Sequence, residues 1–187
     1  MTRFIDFGEE RIRVIEMVDY CPQWVADFAN EKAAIELHFN SVNIASIHHI
    51  GSTSVKGLCA KPIIDILLEV YSLDVLDAQT ARIELLGYEV KGEFGISGRR
   101  YFQKGGIQRT HQVHAFIVGS PGVERHIAFR DYLIAFPKIM LEYGAIKKEG
   151  VKLCNNDIEK YVAHKNQFIQ FHEQQALNYF SLKQNRS

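Results

Sequence analysis

The chain has no surplus charge of either sign. Its 187 residues carry 22 Lys and Arg against 22 Asp and Glu, a formal net charge of zero. A balanced chain lacks a broad electrostatic grip on long nucleic acid or on an anionic membrane. That leaves room for a local basic pocket suited to a small anion. Long apolar runs are also missing. The longest, residues 63–68, is broken by Asp65, far short of the roughly 18 apolar residues of a membrane helix. Cysteine is scarce: Cys21, Cys59 and Cys154 are odd in number, far apart and outside any CxxC spacing. That argues against a disulfide framework or a zinc site and reads as reduced thiols. The opening MTRFIDFGEERIR is charged and has no apolar core, so no secretory signal is expected. The expectation is a cytoplasmic protein with no membrane partner.

What is present is ordinary for a globular domain: 47% hydrophobic and 24% charged residues. A chain of this length buries roughly 70% of its unfolded surface, enough for one domain without staples. β-branched residues at 11–18 predict a strand. Pro22 and the apolar spacing of Trp24, Phe28, Ile35 and Phe39 predict a helix over 22–39. Residues 44–50 read as a strand and 51–57 as a loop. IIDILLEV (63–70) has the pattern of an inner strand buried on both faces. A helix over 72–86 would end at Gly87. Six of the 13 glycines fall between 87 and 106. YFQK (101–104) and HQVHAFIV (111–118) read as a hairpin through Gly105 and Gly106. Helices are expected at 122–136, 138–148 and 156–180, with a frayed NRS tail. Residues 121–187 hold 10 Lys and Arg against 7 Asp and Glu, so residues 1–120 hold 12 against 15. The order strand, helix, strands, helices reads as α+β, a mixed β-sheet with flanking helices and a C-terminal helical extension, as a single domain.

One constellation carries chemistry. Ile50-Gly51-Ser52 is followed, after twelve residues, by Asp65-Ile66-Leu67-Leu68. Glycine lets backbone amides approach phosphate oxygens, and serine adds a hydroxyl. A strand carboxylate can hold a divalent ion that also takes ligand phosphates. The arrangement resembles the signature of the polymerase-β-like nucleotidyltransferase superfamily. The longer stretch HIGSTSVKGLCAKPIIDI (49–66) resembles the hallmark of the GrpB family within it. Tyr20 with Trp24, Thr110-His111-Gln112-Val113-His114, residues 129–133 (FRDYL), Tyr143 with Lys147, and Tyr161 with Lys165 match further family elements in order.

The resemblance implies a nucleotidyltransferase-like sheet over about 1–120, with helices over about 121–187 walling one side of a cleft. It implies phosphate or nucleotide contacts at Gly51, Ser52, Thr53, Ser54, Lys61, Arg100, Arg130 and Lys147. Asp65 would be the catalytic carboxylate and a ligand for Mg²⁺ or Mn²⁺. Strand pairing, rather than the resemblance, offers His114 as a second ligand, on a strand that could lie beside 63–70, since imidazole can ligate a metal. GrpB-like domains are also found fused to a kinase of coenzyme A synthesis, which points by association to nucleotide metabolism.

Departures weigh on this. Leu67 stands where the superfamily has a second acid, a loss shared with the GrpB pattern. Lys56 stands where proline is usual and His48 where an acid is common. Ile134 and Phe136 replace an arginine and a histidine expected on the site wall. Lys56 could restore some of that positive charge. A two-metal site needs about three carboxylates. Glu69 shares the face of Asp65 but lies roughly 13 Å along the strand. His111 and His114 have opposite parity, which disfavours a shared chelate unless a bulge intervenes.

Each candidate has a plainer alternative. Asp65 faces a site or pairs with Arg100 or Lys61. Residues 51–57 are an anion nest or a simple turn, and are not a Walker A loop. Lys61 is a phosphate ligand or a solvated surface group. Arg99 and Arg100 alternate, so at most one faces the pocket, and the family pattern favours Arg100. Arg130 and Asp131 are a site pair or a surface pair. Each Tyr/Lys pair is functional or a tyrosine packed under a lysine stem. His38, His126, His164 and His172 read as surface or packing residues. Of His48 and His49, only one can face the site, and His49 is in register with the motif. Two functions follow: a metal-dependent nucleotidyltransferase acting on a small phosphorylated ligand or nucleoside triphosphate, or an inactive module of the same fold that binds one. A nucleic-acid binder is disfavoured by the neutral charge.

Overall fold

The computed structural model describes residues 4–7, 10–39 and 41–184. β1 (Phe4–Phe7) and β2 (Glu10–Arg13) pair as an antiparallel ribbon. The strand expected at 11–18 stops at Arg13, and Val18 alone bridges to Ala60. α1 (Gln23–His38) follows, then β3 (Ile44–Ile50) and β4 (Ile64–Val70). The helix expected at 72–86 is two short ones, α2 (Leu73–Asp77) and α3 (Thr80–Leu85). β5 (Tyr88–Val90), unforeseen in the glycine-rich stretch, precedes β6 (Arg100–Lys104) and β7 (His111–Ile117). The chain ends in α4 (Pro121–Ala135), α5 (Pro137–Leu153) and α6 (Ile158–Gln184). The NRS tail lies outside the described residues.

The main sheet runs in the order β3-β4-β7-β6-β5, with β4 and β7 parallel and the other neighbours antiparallel. The fold is therefore α+β with a mixed five-stranded sheet. β4 is paired on both sides, and its continuous apolar character matches burial of both its faces. Ile64, Ile66, Leu68 and Val70 point to the face packed with Trp24 and Ile35 of α1, Leu76 of α2 and Ile83 of α3. Val113, Ala115 and Phe102 extend that core across the sheet. It also holds a buried ion pair: Lys104 donates to both carboxylate oxygens of Glu31 at 2.9 and 3.0 Å. Glu31 is only 7% exposed, and an unpaired carboxylate there would be costly.

The opposite face carries Asp65, Leu67 and Glu69. Leu67 packs with Ile50, Phe116 and Val123 beneath the start of α4. α4 ends at Phe136 because Pro137 disfavours helical geometry in the residue before it and opens α5 as its first residue. Asn155 and Asn156 take positive φ at the next corner. The Asp157 carboxylate then accepts from the amides of Glu159 and Lys160, starting α6. Val55 and Leu58 of the loop after β3 pack with Leu133 and Tyr143. That contact ties the helices to the sheet and leaves a cleft over Asp65.

Candidate functional site

The cleft begins where β3 ends. Gly51 has φ +69° and lies against Asp65, so closely that a Cβ would collide with the carboxylate. This is one of the places where glycine is required. Ser52–Ser54 form a single 3₁₀ turn. The Ser52 hydroxyl receives a hydrogen bond from Lys147 Nζ at 2.9 Å.

Two adjoining chambers, of about 150 and 270 Å³, share Ser52, Asp65, Gln112 and Lys165. Lys61, Lys147 and Tyr161 line the smaller one. His114, His126, Arg130, Tyr143 and Glu173 line the larger. Together they approach the size of a small-molecule site, which neither reaches alone.

Sheet register explains the floor. Asp65 pairs with Gln112, and Leu67 with His114, so these four share a face. The nearest Asp65 oxygen is 3.8 Å from His114 Nε2. His111 lies on the other face, 3.8 Å from Glu31, as its parity requires.

Burial sets the electrostatics of the walls. Lys147 is 2% exposed. It donates to the Ser52 hydroxyl and to the Cys59 carbonyl, and its ammonium lies 4.7 Å from the centre of the Tyr143 ring. Burial, with repulsion from Lys165 and Lys61, brings it down to about 7. Burial also lowers Lys165, an effect the charge of Asp65 opposes. His126 is brought down to about 4, first by burial and then by His114. Its Nδ1–H donates to the Gly122 carbonyl at 2.6 Å. Burial raises Glu173, against the pull of Arg125. Burial likewise raises the Tyr143 and Tyr161 hydroxyls.

Several expected site residues are placed elsewhere. Arg100 is on the opposite sheet face, where its guanidinium forks onto Asp77 at 2.7 Å. Arg99 takes the Asp65 face, where the carbonyls of Glu93 and Phe94 hold its guanidinium 3.5 Å from His114 Nδ1. Thr53 does line the smaller chamber, but its hydroxyl donates to the Ile63 carbonyl and accepts from His49. Ser54 donates to the Gly51 carbonyl and lines neither chamber. His49, expected to face the site, instead stacks on Phe28 at 4.7 Å on the α1 side, where burial lowers it to about 4. His48 shares the Asp65 face, but it binds Glu69 at 2.7 Å. Lys56 is exposed and lines neither chamber. Ile134 is exposed and Phe136 packs on Tyr132 and Tyr179, so neither forms the cleft wall.

Others assemble at the cleft. Lys61 lines the smaller chamber, its ammonium 5.0 Å from the Tyr161 ring centre. Arg130 lines the larger one and does two things at once. It pairs with Asp131 at 2.7 Å and donates to the His49 carbonyl at 3.1 Å. Sequence reasoning left Lys165 open between a functional and a packing role, read His126 as a surface or packing residue, and assigned no site role to Glu173 or Gln112. The spacing of Lys165, Ile169 and Glu173, four residues apart each time, was a usable signal, because it puts all three on one helix face.

The same architecture recurs in known proteins. Residues 14–175 match the family model described as GrpB protein. The chain belongs to the GrpB family. It is 44% identical over 164 residues to the Bacillus subtilis protein YqkA, a match covering 88% of this chain but 48% of that protein. The chain thus spans about half the length of that relative. It is 34% identical over 158 residues to the glutamate-rich protein GrpB of Alkalihalophilus pseudofirmus, covering 82% of this chain and 90% of that one. The crystal structure of GrpB from Enterococcus faecalis superposes with a TM-score of 0.84 at 41% identity, covering 88% and 99% of the two chains.

The GrpB-family chain does not offer a two-metal donor set. Leu67 is fully buried where a second acid would stand. Burial opposes ionisation of Glu69, but hydrogen bonds from Ser46 and His48 outweigh it, so the carboxylate is held below its usual range and already engaged. Among the described residues, no cluster of three His, Cys, Asp or Glu side chains is arranged around a common metal position. Asp65 and His114 suit at most one ion, whose remaining positions a ligand's phosphates and water would fill. An imidazole donor favours Mn²⁺ over Mg²⁺. Such an ion would supply Lewis-acid polarisation of a phosphoryl oxygen. Among the described residues, no helix is long and apolar enough to cross a membrane.

Proposed function

We propose that the cleft binds a small phosphorylated ligand of the nucleotide class. The observation that carries this is the gathering of Lys61, Lys165 and Arg130, with the buried amine of Lys147, around Asp65 and the Gly51 turn. Among the side chains lining the two chambers, basic groups outnumber the carboxylates Asp65 and Glu173, a local bias that the neutral whole conceals. Arg130, a planar fork, suits a phosphate oxygen pair, whereas the lysines act as point charges. The absence of a second acid beside Asp65 favours binding over two-metal nucleotidyl transfer. One divalent ion, held by Asp65 and His114, would accompany the phosphates.

Thermal denaturation with each nucleoside triphosphate and coenzyme A, with and without Mn²⁺, tests this. At a hundredfold excess over Kd, a bound ligand adds about 2.7 kcal/mol of stability. That raises Tm by roughly 5 to 10 °C for a chain of this size. Lys165→Met is expected to weaken binding on the order of tenfold, the loss of one charged contact. Arg100→Met, across the sheet, is expected to leave the ligand-induced shift intact. Pyrophosphate release by the wild type would restore the transferase reading. No shift with any phosphorylated compound would overturn the proposal.

A further inference from the structure

Lys147 has an unusual set of partners. A buried ammonium normally pairs with a carboxylate. This one instead meets two neutral oxygens, the Ser52 hydroxyl at 2.9 Å and the Cys59 carbonyl. The other groups turned toward it do not neutralise it. Tyr143 presents a ring face from its own helix, the Cys59 thiol comes from the loop after β3, and Lys61 and Lys165 repel it. The surroundings therefore favour the neutral amine, which is a base. Its hydrogen-bond partner Ser52 lines both chambers. The Tyr143 hydroxyl also lies toward Ser52, from a second side.

We propose that Ser52 and Lys147 form a nucleophile–base dyad, and that Ser52 accepts a phosphoryl group from a phosphoanhydride lying in the cleft. This goes beyond ligand binding and requires the Ser52–Lys147 contact itself. In the first step, Ser52 Oγ bonds to phosphorus and the bridging P–O bond breaks. The leaving phosphate keeps the electron pair, and the serine proton passes to Lys147 Nζ. Lys165 and Arg130 offset the charge on the phosphoryl oxygens. In the second step, water attacks phosphorus and the bond to Ser52 breaks. Lys147 returns its proton to Ser52, and the water's proton leaves to solvent. The positioning residue is Tyr143, which acts through Ser52.

A fluorophosphonate probe tests the dyad without knowledge of the natural ligand, because fluoride replaces the leaving phosphate. Intact mass and peptide mapping are expected to find one adduct, on Ser52. Its rate should rise with pH through a single ionisation near 7 and then level off. Ser52→Ala should abolish the adduct. Lys147→Met should slow labelling at least a hundredfold, with folding checked by Tm. If Lys147→Met does not fold, Tyr143→Phe provides the second variant, expected to slow labelling while keeping the same pH midpoint. Labelling no faster than that of free serine, a pH-independent rate, or an adduct elsewhere would each overturn the proposal. Nucleotide binding is measured separately by the thermal shift, so loss of either reading is visible without the other.

Discussion

At the scale of single residues, the cleft depends on one missing side chain. Gly51 combines a positive φ with an Asp65 carboxylate that occupies the space a Cβ would need. Alanine there would meet both backbone strain and a steric clash. Gly51→Ala is expected to cost about 2 kcal/mol or more, read as a lower urea midpoint with an unchanged m value. It should also displace Asp65 and so weaken any ligand. This pair was legible in the sequence because glycine and aspartate lie in one short motif. Arg100 and His49 were misplaced for the opposite reason. Parity says that neighbours alternate, but only the register with β4 and β7 says which of each pair faces the cleft. Lys165 was left undecided and Glu173 was passed over because α6 is remote in sequence from Asp65, and no local pattern names its partner.

At the scale of elements, β4 and α4 decide what chemistry the floor can hold. β4 was readable as a doubly buried strand, since its apolar residues leave no face for water. Its consequence for Leu67 was not readable, because the cover comes from α4. Leu67 is fully buried among Ile50, Phe116 and Val123. Leu67→Asp would supply the second acid of the signature that the motif resembles, yet it would place a carboxylate in an apolar cluster. We expect it to destabilise the fold by at least ~3 kcal/mol, measured by urea unfolding. It should give no gain in Mn²⁺ binding by calorimetry. The starts of α4 and α5 were expected within one residue, at 122 and 138, whereas α5 runs on to Leu153, past the expected 148. The break into α2 and α3 was not legible, since no proline or glycine marks it.

At the scale of the whole molecule, buried bases make stability depend on pH. His49 and His126 are both lowered to about 4. Between about 6.5 and 4, the unfolded chain therefore binds more protons than the native one, and stability falls as pH falls. Each contributes on the order of 3 kcal/mol across that window. Lys147 is lowered to about 7, so the same sign applies from its ordinary value near 10.5 down to about 7. Glu173, raised by burial, works partly against this above the usual carboxylate range. Calorimetry is expected to show Tm declining from pH 8.5 to 7 and more steeply from 6.5 to 4. His126→Gln should flatten the acid limb by about 5 to 10 °C. A Tm that does not change between pH 6.5 and 4 would show that these histidines titrate normally.

The parallel pairing of β4 with β7 also has a consequence for birth of the chain. β4 ends at Val70, and its second neighbour begins only at His111. At ribosomal speeds of about 5–20 residues per second, that interval lasts roughly 2 to 8 s. Throughout it, an apolar strand paired on one side alone presents an unpartnered edge. Asp65 waits as long for His114, and longer still for Lys147 and Lys165. The cleft is thus a late product of synthesis, absent from every nascent chain that stops short of α6.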